Sequence, residues 1–84
     1  MNHNAGFHFY DDGRVQYLYR TLSNDRFVVV TDLDGMAFPT SDEFMACVYT
    51  SENAFNDGEY PLACADSTQF ATINMALDTI ENVN

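Results

Sequence analysis

The sequence predicts an α+β domain: a four-stranded antiparallel β-meander followed by two helices packed on one face. Three observations predict it. Turn signals fall at intervals of about ten residues through the first half, the spacing of consecutive short strands. Three β-branched residues stand in a row at Val28, Val29 and Val30. From Thr40 onward, apolar residues recur at three- and four-residue spacing instead.

Phe7, His8, Phe9 and Tyr10 form the first predicted strand, closed by Asp11, Asp12, Gly13 and Arg14. The Asp-Gly step tolerates the positive φ of a tight hairpin. In residues 15–22, Val15, Tyr17, Tyr19 and Thr21 alternate with Gln16, Leu18, Arg20 and Leu22, giving strand periodicity with one aromatic-rich face. Ser23, Asn24 and Asp25 turn the chain again. Residues 26–31 are the strongest strand, because valines lose χ1 freedom in a helix but pack well on a pleated sheet. Asp32 to Gly35 then turn into a short fourth strand, Met36, Ala37 and Phe38, ended by Pro39.

The first helix is expected from Thr40 to about Ser51. Thr40 and Glu43 have capping-box spacing, Asp42 and Glu43 suit the first turn, and Phe44, Cys47 and Val48 share a helical face. Residues 52–61 read as a loop with its tightest turn at Asn56, Asp57 and Gly58. Asp66 or Ser67 caps the second helix, in which Phe70, Ile73, Leu77 and Ile80 form one apolar stripe. Residues 82–84 should fray.

At 84 residues the chain has room for one core, so 1–84 is read as a single domain. Hydrophobic residues make up 46% and aromatics 14%, too much for a disordered acidic tail. Charge is the unusual property: thirteen acids face three arginines, with no lysine and a net charge of −10. Arg14, Arg20 and Arg26 all precede residue 27, and ten carboxylates follow it without a cation. Such self-repulsion destabilises a compact state, so either a binding partner selects it or the surface is of the halophile type that keeps proteins dissolved.

A negative face disfavours direct nucleic-acid or anionic-membrane binding. The start of the chain lacks the basic and apolar regions of a signal peptide, and the expected location is cytoplasmic, that of the host if phage-encoded. Cys47 and Cys64 fit no close-spaced zinc or redox pattern; in a reducing compartment they read as free, small, buried side chains, with a disulfide the less favoured alternative. No cofactor or metal is expected.

Residues 27–35, a hydrophobic strand running into Asp32-Leu33-Asp34-Gly35, resemble the first motif of the haloacid dehalogenase-like phosphatases. The resemblance implies a phosphorus-attacking nucleophile at Asp32, a general acid and base at Asp34, and magnesium held by both. The rest of that pattern is missing. No lysine exists to hold phosphate, no arginine follows Arg26, and Met36 stands where Thr or Val is usual. Only three residues separate Gly35 from Pro39, whereas the family needs a parallel sheet with crossover helices. Turn chemistry between two β runs explains the same residues. An EF-hand reading fails too, since Val30 and Ser41 would hold its first and last ligand positions. His8 reads as a strand side chain, and neither it nor His3 forms a recognisable catalytic set. The chain is therefore expected not to be an enzyme.

In size and charge the chain resembles the small acidic inhibitors encoded by phages and mobile elements, including DNA mimics and anti-CRISPR proteins. That resemblance implies a non-enzymatic inhibitor of a basic nucleic-acid-binding protein or complex, with an acidic accessory subunit as the alternative and a phosphatase-like fragment using Asp32 and Asp34 a distant one. Carboxylates at phosphate-like spacing would fill a groove built for a polyanion. The candidate contact residues are Asp32, Asp34, Asp42, Glu43, Glu52, Asp57, Glu59, Asp78 and Glu81, with Tyr60, Tyr49 or Phe55 as aromatic anchors. Self-association into a homodimer stays open.

Overall fold

A computed structural model describes residues 6–82, within which five strands and two helices follow in the order β1 (His8–Asp11), β2 (Gln16–Thr21), β3 (Phe27–Thr31), β4 (Met45–Tyr49), α1 (Glu52–Asn56), β5 (Ala63–Asp66) and α2 (Ile73–Glu81). His3, Val83 and Asn84 lie outside the described residues. The strands form one antiparallel sheet in sequence order, so the meander is right in kind and has five strands rather than four.

The first two turns form as their residues dictate. Asp11 Oδ1 accepts from Gly13 N at 2.9 Å, and Asp12 Oδ1 accepts from the N–H groups of Arg14 and Val15, each at 2.9 Å. Gly13 takes a φ of +85°, which a side chain would oppose. Asp25 carries a φ of +68° in the second turn, a conformation Asp tolerates better than most residues.

The expected fourth strand at 36–38 is instead part of the β3–β4 connection. Asp32 Oδ1 accepts from the N–H groups of Met36 (3.1 Å) and Ala37 (3.3 Å), taking donors that a ladder would need. The segment still touches the sheet through Gln16 N, which donates to Met36 O at 2.9 Å.

The expected helix at 40–51 is replaced by β4. Thr40 Oγ1 does accept from Asp42 N and Glu43 N, at 3.3 and 2.9 Å, but Thr40 N donates to Glu43 O, which closes a turn and starts no helix. Beyond it, Phe44, Ala46 and Val48 point to one sheet face and Met45, Cys47 and Tyr49 to the other. Both faces are covered, so the apolar run is continuous and lacks the alternation that marks a half-buried strand.

Ser51 caps α1 by accepting from Ala54 N at 3.1 Å, a short helix in the region read as loop. Edge strand β5 was also not expected: it is four residues long and holds no β-branched side chain. The last helix begins later than its stripe implies. Asp66 closes a turn, accepting from Thr68 N at 2.9 Å, and Thr72 caps α2 by accepting from Met75 N at 3.2 Å.

The core lies between the sheet and α2. Val28, Val30, Phe44, Ala46, Val48 and Ala65 meet Ala76, Leu77 and Ile80, and Phe70 packs against them from the preceding turn. Arg20 holds the end of α2 to the sheet through an ion pair with Glu81, its guanidinium 4.7 Å from the Phe7 ring centroid. The two helices do not share a face. Phe55 of α1 contacts Tyr17, Phe27 and Tyr49, which point away from α2. Among the described residues no helix is long and apolar enough to cross a membrane.

Candidate functional site

An antiparallel meander sends alternate connections to opposite ends of its sheet. The β1–β2 turn, the β3–β4 connection and the end of β5 therefore share one end. Those segments carry Asp11, Asp12, Asp32, Asp34, Asp42, Glu43 and Asp66, and Arg14 is their one cation. Glu52, Asp57, Glu59 and Tyr60 lie at the other end, in α1 and the loop beyond it. Asp78 and Glu81 ride on α2, and Glu81 is held by Arg20. The nine candidate carboxylates and Tyr60 are thus divided among three places, and four of them, Asp32, Asp34, Asp42 and Glu43, share the carboxylate-rich end.

Two kinds of carboxylate meet there. Asp12, Asp32 and Asp66 build turns, and their acceptor bonds hold each carboxyl below the usual aspartate range. The main cause is the Val15 N–H for Asp12, the Met36 N–H for Asp32 and the Thr68 hydroxyl for Asp66. Asp11, which accepts from Gly13 N and Gln16 Nε2, is exposed like Asp12, and so are Asp34, Asp42 and Glu43.

A pH dependence follows from the first kind. A carboxyl whose folded pKa lies below its unfolded value, 3.8 for Asp32, stabilises the fold above that value and loses the contribution as pH falls through the folded pKa. Asp32→Asn keeps an acceptor oxygen and removes the charge. Thermal melts of this variant between about pH 5 and pH 2 should show a shallower acid-side fall in stability than those of the native chain. An unchanged slope would mean that Asp32 contributes nothing to it.

The motif that resembles a phosphatase sits in an antiparallel sheet, and Asp32 spends its oxygen on the loop that follows. Among the described residues no group of three or more His, Cys, Asp or Glu side chains is placed to hold a metal ion.

The face opposite α2 is a continuous aromatic surface that sequence reasoning only touched. His8 packs on Tyr19, Tyr10 stacks on Tyr17 at 4.7 Å, and Tyr19 leads through Phe27 to Phe55 and Tyr49. Alternation in residues 15–22 marked the Tyr17 and Tyr19 part of it. The contributions of Tyr49 and Phe55 were hidden by the misassigned helix and loop. Tyr49 and Phe55 are half-buried on this face, whereas Tyr60 is 96% exposed.

A half-open cavity of about 190 Å³ lies in the aromatic face. Tyr17, Tyr49 and Phe55 stand at one side, Val29, Met45 and Cys47 beneath, and Val15, Thr31 and Gly35 toward the carboxylate-rich end. Burial pushes the Tyr49 and Tyr17 phenols up, and for Tyr17 the neighbouring tyrosines and the Asp12 and Glu52 charges push in the same direction. A polar hollow of about 290 Å³ beside the end of α2 is lined by Leu22, Ser23, Asn24, Asp78, Glu81 and Asn82.

Cys47 and Cys64 stand directly opposite in the β4–β5 ladder, with Cα atoms 4.1 Å apart, and form a disulfide. This corrects the expectation of two free thiols. Seventeen positions separate them in sequence, which hides a pairing that the register makes immediate.

Comparison with known protein families, curated proteins and solved structures finds no match to this chain.

Proposed function

We propose that this chain is a small non-enzymatic inhibitor that docks its carboxylate-rich end on a basic nucleic-acid-binding protein or complex, in the manner of the acidic inhibitors phages encode. One observation carries the reading: seven carboxylates and a single cation sit on the segments at one end of the sheet. Alternate turns along a sheet edge are about 10 Å apart, twice the strand spacing. That is slightly more than the Debye length of about 8 Å at physiological salt, so the fields of neighbouring turns add most strongly at low salt, and docking through them should weaken as salt rises. A groove that accepts duplex phosphates would meet a similar density of charge.

The turn-building aspartates support the same reading. Held below their ordinary range by N–H and hydroxyl donors, they keep their charge without bending toward one another, and a preorganised array loses little freedom on docking.

Recovery of partners from cell extract at low and high salt, with and without competing duplex DNA, tests the proposal. The expected partner is a basic nucleic-acid-binding protein, released by about 0.5 M salt and displaced by duplex. Capture that ignores both salt and duplex would overturn it, and capture that yields to salt alone would favour an acidic accessory subunit.

A further inference from the structure

We propose that the cavity in the aromatic face, which borders the carboxylate-rich end, binds a trimethylammonium group, a reading that does not rest on the docking proposal. The walls come first. Phe55 meets Tyr17 at 75° with centroids 5.4 Å apart, and meets Tyr49 at 67° and 5.1 Å. Phe55 thus packs edge-to-face against both tyrosines, and all three rings line the cavity. A cation within about 6 Å of such centroids is attracted by the ring quadrupoles.

Size and lining select the kind of cation. The cavity's 190 Å³ falls below the roughly 300 Å³ at which pockets for drug-sized ligands begin, so a head group suits it better than a whole ligand. Its floor of Val29, Met45 and Cys47 is apolar, and no carboxylate is among the lining residues. A primary ammonium would bring three N–H donors into a space whose side chains offer only hydroxyl acceptors. Three methyl groups in place of those hydrogens match the apolar floor and keep the charge.

Electrostatics select the sign. Asp34 adjoins Gly35 and Asp32 adjoins Thr31 in sequence, next to lining residues, and Glu52 opens the helix that carries Phe55. Burial first, then the neighbouring tyrosines, and last the charges of Asp12 and Glu52 push the Tyr17 phenol up, so the negative field reaches this wall. With a net charge of −10 an anion is excluded and an organic cation is drawn in. Choline and a trimethylated lysine side chain present the same group, the first as a free molecule and the second on a protein tail.

Titration of the intact protein followed by NMR tests the site with four probes: choline, its uncharged isostere 3,3-dimethylbutan-1-ol, and a short peptide carrying either trimethyllysine or lysine. Saturable shifts are expected at Val29 and Met45 with choline or the trimethyllysine peptide, and affinity at least about tenfold weaker for the uncharged isostere or the unmodified lysine. Tighter binding of choline than of the peptide assigns the free molecule as source, and the reverse order a protein tail. Tyr17→Leu and Phe55→Leu, each checked for a native melting transition, should weaken binding about three- to tenfold, while Tyr60→Leu should not change it. No saturable shift with either methylated probe, or equal affinity for the uncharged isostere, would overturn the proposal; so would unaltered binding in a folded Tyr17 or Phe55 variant.

Discussion

Replacing Phe44 by alanine is expected to lower stability by about 3–5 kcal/mol, the range for truncating a buried phenylalanine. Phe44 is fully buried where β4 begins, in the cluster that joins the sheet to α2. Its backbone also fixes the end of β5: Ser67 N donates to Phe44 O at 2.9 Å, and Phe44 N donates to Ser67 Oγ at 3.3 Å. A cavity there lets both elements shift. Domains of this size are stable by about 5–10 kcal/mol, so the variant should keep only a few kcal/mol and unfold at much lower denaturant than the native chain. Urea denaturation measures the loss, with Tyr60→Ala, at a 96% exposed site, expected within about 0.5 kcal/mol of the native chain. A Phe44→Ala loss under about 1 kcal/mol would contradict the placement of Phe44 in the core.

Reducing the disulfide should cost about 3 kcal/mol, the chain-entropy value for a closed loop of this length. Cys47 and Cys64 are 17 positions apart and bridge a central strand to an edge strand. The loop they close contains α1 and Tyr60, and opening it frees the unfolded chain more than the folded one. Denaturation with and without a thiol reductant reads the difference. Cys47→Ala with Cys64→Ala should behave like the reduced chain and respond no further to reductant. If reduction leaves the midpoint unchanged, the two sulfurs are not bonded in solution. In a compartment where glutathione keeps thiols reduced, the fold rests on the core without this link.

The parts of the fold legible in the sequence are those whose signals are local. Residues 7–31 announce three strands and two turns because alternation, valine runs and Asp-Gly chemistry each act within a few residues. The stripe Ile73, Leu77 and Ile80 announces α2 in the same way. Residues 40–51 mislead because Phe44, Cys47 and Val48 fit a helical face as well as the two faces of a buried strand, and the Thr40 cap serves a turn as readily as a helix. Tertiary pairing with β3 decides the matter, and no local pattern reports it.

The site divides similarly. That the acids outnumber the cations is plain from composition, but which of them gather is a matter of topology. Asp66 joins the carboxylate-rich end only because β5 exists, and Glu81 is paired with a cation only because Arg20 lies across from it on β2. The disulfide and the aromatic cavity depend on the β4 register, which no local pattern in residues 40–51 reports.

Partner binding by two charge-neutralised variants tests the central claim most directly. One replaces Asp34, Asp42 and Glu43 by Asn, Asn and Gln at the carboxylate-rich end, and the other replaces Glu52, Asp57 and Glu59 by Gln, Asn and Gln at the opposite end. All six positions are exposed, so both chains should fold. The first should lose capture of the basic partner by at least about tenfold, with a flatter salt dependence, while the second keeps most of it. Equal loss in both would show that net charge alone governs binding, and loss only in the second would place the docking surface at the wrong end.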